Sequence, residues 1–111
     1  MIISLELYAD NEQIAISIKN QGGTHSEYYI PADMPDVYFN SSTQEIIIEA
    51  DGFASYYDVE IISQTSLLTV ILTQIDGYGE SIDVSSLPLG DYTIVITSSF
   101  NNEYEGQFSN Y

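Results

Sequence analysis

Apolar residues recur at every second position along most of the chain. Ile46, Ile48 and Ala50 alternate with Glu45, Ile47 and Glu49; Tyr57, Val59 and Ile61 with Asp58, Glu60 and Ile62; Tyr92, Ile94 and Ile96 with Thr93, Val95 and Thr97. Leu68, Val70 and Leu72 repeat the pattern against Thr69, Ile71 and Thr73, and Ile82 and Val84 against Ser81 and Asp83. Tyr104 and Phe108 flank Gly106, with Glu105, Gln107 and Ser109 turned away. Neighbouring side chains of a strand point to opposite faces, so this period describes half-buried strands; the period of about 3.6 that a helix needs is sustained nowhere.

The gaps between these runs carry residues that accept positive φ or hydrogen-bond their own backbone: Asn40-Ser41-Ser42-Thr43, Asp51-Gly52, Asp76-Gly77-Tyr78-Gly79, Leu89-Gly90-Asp91 and Asn101-Asn102. They bound seven segments, 37–40, 44–50, 56–63, 67–75, 80–84, 91–98 and 103–109. Seven short antiparallel strands at this spacing predict an all-β fold, an immunoglobulin-like β-sandwich, with an up-and-down barrel as the alternative. Tyr92 opens a strand just after a glycine turn, where a tyrosine corner returns its hydroxyl to upstream backbone.

Ahead of these strands, Ile3, Leu5 and Leu7 and then Ile14, Ile16 and Ile18 alternate around Ala9-Asp10-Asn11-Glu12, which reads as an extra N-terminal strand pair. Residues 20–36, with Gly22-Gly23, Pro31 and Pro35, read as a connection, because proline donates nothing to a ladder. The expected organisation is a hairpin and connection over 1–36 and a sandwich over 37–111.

Composition narrows the function classes. Of 111 residues, 17 are acidic and Lys19 is the one Lys or Arg, for a formal charge of −16. Phosphate binding rests on Lys and Arg, so nucleic acid is excluded as a partner, and an anionic membrane surface is disfavoured. No apolar run approaches the roughly 18 residues of a spanning helix. Trypsin has one site, after Lys19. There is no cysteine, which removes disulfides, thiolate metal sites and cysteine nucleophiles. The beginning, Met1-Ile2-Ile3-Ser4-Leu5-Glu6, lacks the basic and long apolar regions of a signal peptide, so an exported chain is expected to have lost its signal ahead of this numbering.

Tyr57-Asp58-Val59-Glu60-Ile61, followed by Ile82-Asp83-Val84-Ser85-Ser86-Leu87-Pro88-Leu89-Gly90-Asp91-Tyr92-Thr93-Ile94-Val95-Ile96, resembles short exported proteins of anaerobic gut bacteria. These form a domain-of-unknown-function family with an immunoglobulin-like sandwich, and the similarity runs from about Tyr29 to the end. It implies a secreted, periplasmic or cell-surface life and supplies no catalytic residues. The 87–92 pattern is also similar to C-terminal sorting domains of a bacterial secretion system, but those end in a basic tail, where this chain has Gln107-Phe108-Ser109-Asn110-Tyr111.

Candidate chemistry is sparse. A Ser-His-Asp hydrolase would have to use the single histidine, His25, beside Ser26, yet no nucleophile-elbow sequence surrounds any serine. Paired carboxylates for glycoside hydrolysis need a cleft that a small filled sandwich does not offer. No enzyme activity and no cofactor are expected. Hard cations favour carboxylate oxygens, and three loop clusters could hold calcium: Asp10-Asn11-Glu12, Asp33 with Asp36, and Asp76 with Glu80. None has EF-hand spacing, and turn acids commonly serve the turn itself.

Ten tyrosines exceed what one small core hides. Tyr28, Tyr29, Tyr56 and Tyr78 are the candidate interaction surface, since a ring offers contact area and its hydroxyl a hydrogen bond to a protein or glycan partner. Asn40-Ser41-Ser42 has the form of a glycosylation acceptor and reads as a turn. The apolar runs 46–48 and 94–96 carry an edge-pairing hazard, moderated by Glu45, Glu49 and Asp91, and edge pairing is the expected route to a homodimer. The reading is an exported, non-enzymatic interaction domain of the bacterial envelope, with a calcium-dependent or carbohydrate-binding accessory domain as the alternative.

Overall fold

A computed structural model describes residues 11–20 and 30–111, and among these it contains nine strands and no helix. One sheet holds β1 (Asn11–Ile14), β3 (Asp36–Asn40), β4 (Glu45–Glu49) and β7 (Ser81–Asp83), in the order β1-β3-β4-β7. The other holds β2 (Ile16–Asn20), β5 (Tyr56–Ser63), β6 (Thr69–Asp76), β8 (Gly90–Ser98) and β9 (Glu103–Asn110), in the order β2-β9-β8-β5-β6. All neighbours are antiparallel, and the two sheets form an immunoglobulin-like sandwich. The seven expected segments correspond to β3 to β9.

The alternating positions meet between the sheets. Val37, Phe39, Ile46, Ile48 and Ile82 come from one side and Tyr57, Val59, Ile61, Ile94, Ile96 and Tyr104 from the other, all buried. Phe108 joins the layers: its ring centroid lies 5.4 Å from that of Phe39 and 5.4 Å from that of Tyr92. Each such side chain removed from water contributes about 1.5–3 kcal/mol, which is why the period of two dictates the fold.

Three expectations change. The segment carrying Ile14, Ile16 and Ile18 is two strands, because the chain crosses from one sheet to the other at Ala15: β1 pairs with β3 and β2 with β9. Asn11 and Glu12, expected in a hairpin turn, are strand residues opposite Asn40 and Phe39. The sheet edges at β3 and β9 lie on the same side of the sandwich, and a strand that switches between them satisfies backbone groups on both. The crossing is tight over Gly106, where a Cβ would stand 2.8 Å from Ile14 Cγ2 and 2.9 Å from Ile16 Cγ2. The other expected arm, Ile3, Leu5 and Leu7, lies outside the described residues.

Secondly, β6 turns its expected face outward. Tyr57 pairs with Ile75 and Ile61 with Ile71, so Ile71, Thr73 and Ile75 share the inner face and Leu72 points out, 73% exposed. A register offset of one residue exchanges the two faces of a strand, and β6 is apolar on both. Val70 is the extra residue of a bulge, since the pairing steps from Ile61–Ile71 to Ile62–Thr69. Thirdly, runs 46–48 and 94–96 are not at edges: β4 lies between β3 and β7, and β8 between β9 and β5. The apolar edge is β6.

Candidate interaction surface

Three connections meet at the end of the sandwich where β5 begins: residues 50–55, the β6–β7 turn 77–80 and the β8–β9 turn 99–102. Hydrogen bonds tie them together. The Gly52 amide donates to the Gly77 carbonyl (3.1 Å) and the Ala50 amide to the Tyr78 carbonyl (3.2 Å). The Ser55 amide donates to Ser99 Oγ (2.9 Å) and the Ser99 amide to the Tyr56 carbonyl (3.0 Å). Asp51 and Asp76 each accept an amide two residues on, from Phe53 and Tyr78, as Asx turns do.

On this frame stand four outward aromatic side chains. Phe53 and Phe100, each 56% exposed, form a tilted pair with centroids 5.3 Å apart, joining the first and third connections. Tyr78, 71% exposed, lays its ring over Gly52, whose φ of 84° suits glycine and whose missing Cβ leaves the room: a Cβ there would be 2.5 Å from Tyr78 Cζ. Tyr56 is exposed at the start of β5 while Tyr57 beside it is fully buried, as neighbours in a strand require.

Beneath the patch the third connection is anchored on Asp33. The Ser98 and Tyr104 hydroxyls donate to the buried Asp33 carboxylate, and Asn102 Nδ2 lies 3.0 and 3.2 Å from its two oxygens. Tyr57 Oη donates to the Asp33 carbonyl at 2.7 Å, and Ser98 Oγ accepts the Phe100 amide at 3.2 Å. A buried carboxylate needs such donors, and satisfying it fixes the turn that carries Phe100. Burial first, and then the charges of Asp33 and Asp51, push the Tyr57 hydroxyl up to about 12; burial and the hydrogen bond to Asp33 push Tyr104 higher still.

Among the described residues no three His, Asp or Glu side chains come together. Asp33 faces inward to its hydroxyl and amide donors, whereas Asp36 is exposed and opposite Glu49. Glu80 accepts the Asp76 amide at 3.1 Å, closing the turn under Tyr78. Asn11 accepts from Asn40 Nδ2 at 2.7 Å, and Glu12 is exposed on β1. Asp10, His25, Ser26, Tyr28 and Tyr29 lie outside the described residues. Tyr92 donates its hydroxyl to the Pro88 carbonyl.

A groove of about 580 Å³ beside the Ala15 crossing is lined by Glu12, Gln13, Phe39, Asp91, Gln107 and Phe108 among others; Ser109 on its wall donates to Asp91 at 2.6 Å. Phe53 and Phe100 were not singled out by periodicity. Their signal is position: each is a large aromatic inside turn sequence, after Asp51-Gly52 and before Asn101-Asn102, where no strand face can bury it.

No protein-family model matches the chain, and no curated protein matches it. Among solved structures it is similar to the crystal structure of a DUF3244 family protein with an immunoglobulin-like β-sandwich fold from Bacteroides vulgatus. The TM-score is 0.69 at 12% identity, covering 91% of this chain and 99% of that one. At that identity the likeness shows the fold. It agrees with the fold implied by the resemblance in 57–61 and 82–96.

Proposed function

We propose that this chain is a non-enzymatic interaction domain, exported to the bacterial envelope or beyond, that engages a protein or glycan partner through the aromatic end of the sandwich. The observation that carries the reading is the exposed Phe53–Phe100 pair with Tyr78 beside it, held on cross-tied turns rather than on a loose loop. Rigid aromatic rings supply contact area at low entropic cost, and preorganised turns reduce what binding must order. The charge of −16 favours neutral or cationic partners. Carbohydrate is the more specific alternative on the same surface: apolar faces of a neutral sugar stack on rings while carboxylates such as Asp51 and Glu80 accept its hydroxyls.

The test is a binding screen of the intact protein against a glycan array and against purified envelope proteins, run beside a Phe53→Ser, Phe100→Ser double variant. A ligand bound by the wild type and lost from a variant with unchanged folding supports the surface. Binding that survives both substitutions removes it, and a negative screen at high concentration removes the carbohydrate version. Export is tested by fractionating the native cells: a chain found in the cytoplasm overturns the envelope location.

A further inference from the structure

The sandwich has four edge strands among the described residues, and three are blunted in the ways that prevent strand addition. β1 has four residues and carries Glu12; β7 has three and carries Asp83; β2 has five, carries Lys19 and is bulged. β6 has eight and its one charge is Asp76 at the last position; from 61 to 75, fifteen residues of a chain with seventeen acids, no charged residue occurs. Its backbone presents N–H and C=O groups on the side away from β5, and Leu72 stands out from it. The hairpin that leads into it exposes Leu67 and Leu68 as well, and Leu67 is held at φ 62°, a conformation that favours Gly or Asn over leucine. The bulge at Val70 and the terminal Asp76 are the protective devices on this edge, and they leave the five positions between them uncharged and unbulged.

We propose that β6 is a self-association edge, at which a second copy of this chain adds its own β6 antiparallel to make one continuous sheet across two protomers. Charge selects the occupant. Two chains of −16 repel wherever their carboxylates meet, and the uncharged stretch is where they can touch at least cost. The acids that border this edge stand on β5, one strand in, where Glu60 accepts from Thr69 Oγ1 at 2.5 Å and Asp58 from Gln74 Nε2 at 3.0 Å, so a strand added at β6 meets uncharged side chains first. A two-fold axis at Leu72 sets the two leucines face to face and places Asp76 opposite Leu68 rather than another acid. Antiparallel edge pairing about such an axis is closed, so it makes dimers and not fibres.

The experiment is sedimentation of the full chain over a concentration series, at low and high salt, with Leu72→Lys and Leu72→Cys variants. A reversible dimer that tightens with added salt is expected, because screening relieves repulsion between like chains; a contact with a cationic surface weakens instead. Leu72→Lys is expected to raise the dissociation constant at least about tenfold, although it lowers net charge, and the melting temperature should hold because the position is exposed. Leu72→Cys introduces the chain's one thiol, and oxidation should give a covalent dimer, since residues facing each other across an antiparallel pair lie within disulfide reach. A wild type that is monomeric at about 1 mM in high salt, a dimer unaffected by Leu72→Lys, or one that loosens with salt overturns the proposal. Failure to form the covalent dimer alone overturns the Leu72 axis.

Discussion

The hydroxyl of Tyr104 donates a hydrogen bond to the carboxylate of Asp33, which lies 71 residues earlier in the chain. With Ser98 and Asn102 this makes Asp33 the shared acceptor of three side chains from β8, β9 and the turn between them. Asp33→Ala leaves the buried Ser98 and Tyr104 hydroxyls and the half-buried Asn102 amide without their acceptor. The expected loss is about 2–4 kcal/mol, read as a fall in the urea midpoint at unchanged slope. A loss under about 1 kcal/mol would mean that water replaces the carboxylate easily and that the anchor is not structural.

The same cluster sets an alkaline limit. The Tyr57 hydroxyl is raised from 10.0 to about 12 by burial and by the charges of Asp33 and Asp51, and Tyr104 is raised further. A tyrosine protonated longer in the folded state than in the unfolded one contributes stability that is whole below pH 10 and is lost as pH climbs through about 12. Unfolding free energy is therefore expected to be flat up to about pH 9.5 and to fall beyond it. In Tyr57→Phe the decline should be shallower. An unchanged decline would place its origin in Tyr104 and the other tyrosines that ionise in this range.

The crossing at Ala15 depends on an absent side chain. In Gly106→Ala the new Cβ meets Ile14 and Ile16 methyls and lies 3.0 Å from the Ala15 carbonyl, so β1 and β2 must be pushed from the core. The expected cost is about 1–3 kcal/mol, against less than about 0.5 kcal/mol for Gln107→Ala at the neighbouring exposed position. Amide exchange should show the loss first in β1 and β2. Equal costs would mean that the N-terminal strands contribute little to the described fold.

Much of this fold was legible because β3, β4, β5, β7, β8 and β9 each bury one face, and a period of two then states which residues are inside. Tyr92 was legible too, from the glycine turn before it. Legibility failed where that physics changes. β6 overhangs the sandwich and is apolar on both faces, so alternation cannot choose between Leu72 and Ile71; the choice comes from cross-strand pairing with Ile61 and from the bulge at Val70. The sheet switch at Ala15 carries no proline or paired glycines. Asp33 reads as a loop acid because its donors come from residues 98–104, and spacing along the chain does not reveal a contact of that separation.

The charge of −16 acts on the whole molecule and makes a last prediction with a definite sign. Lys19, the one Lys or Arg, is set 3.4 Å from Glu105, an exposed pair worth little, so the charge of the seventeen acids stays far from balanced. The compact state holds them closer together than the unfolded chain does, so repulsion costs the folded state more, and salt relieves that state preferentially. Raising sodium chloride from low to physiological strength at neutral pH is expected to lift the melting temperature by about 5 °C, which for a domain of this size corresponds to about 1 kcal/mol. Because self-association at β6 would raise it too, the scan belongs on Leu72→Lys at low concentration. A melting temperature that falls with salt there would show that ordered attractions, and not repulsion, dominate this acidic surface.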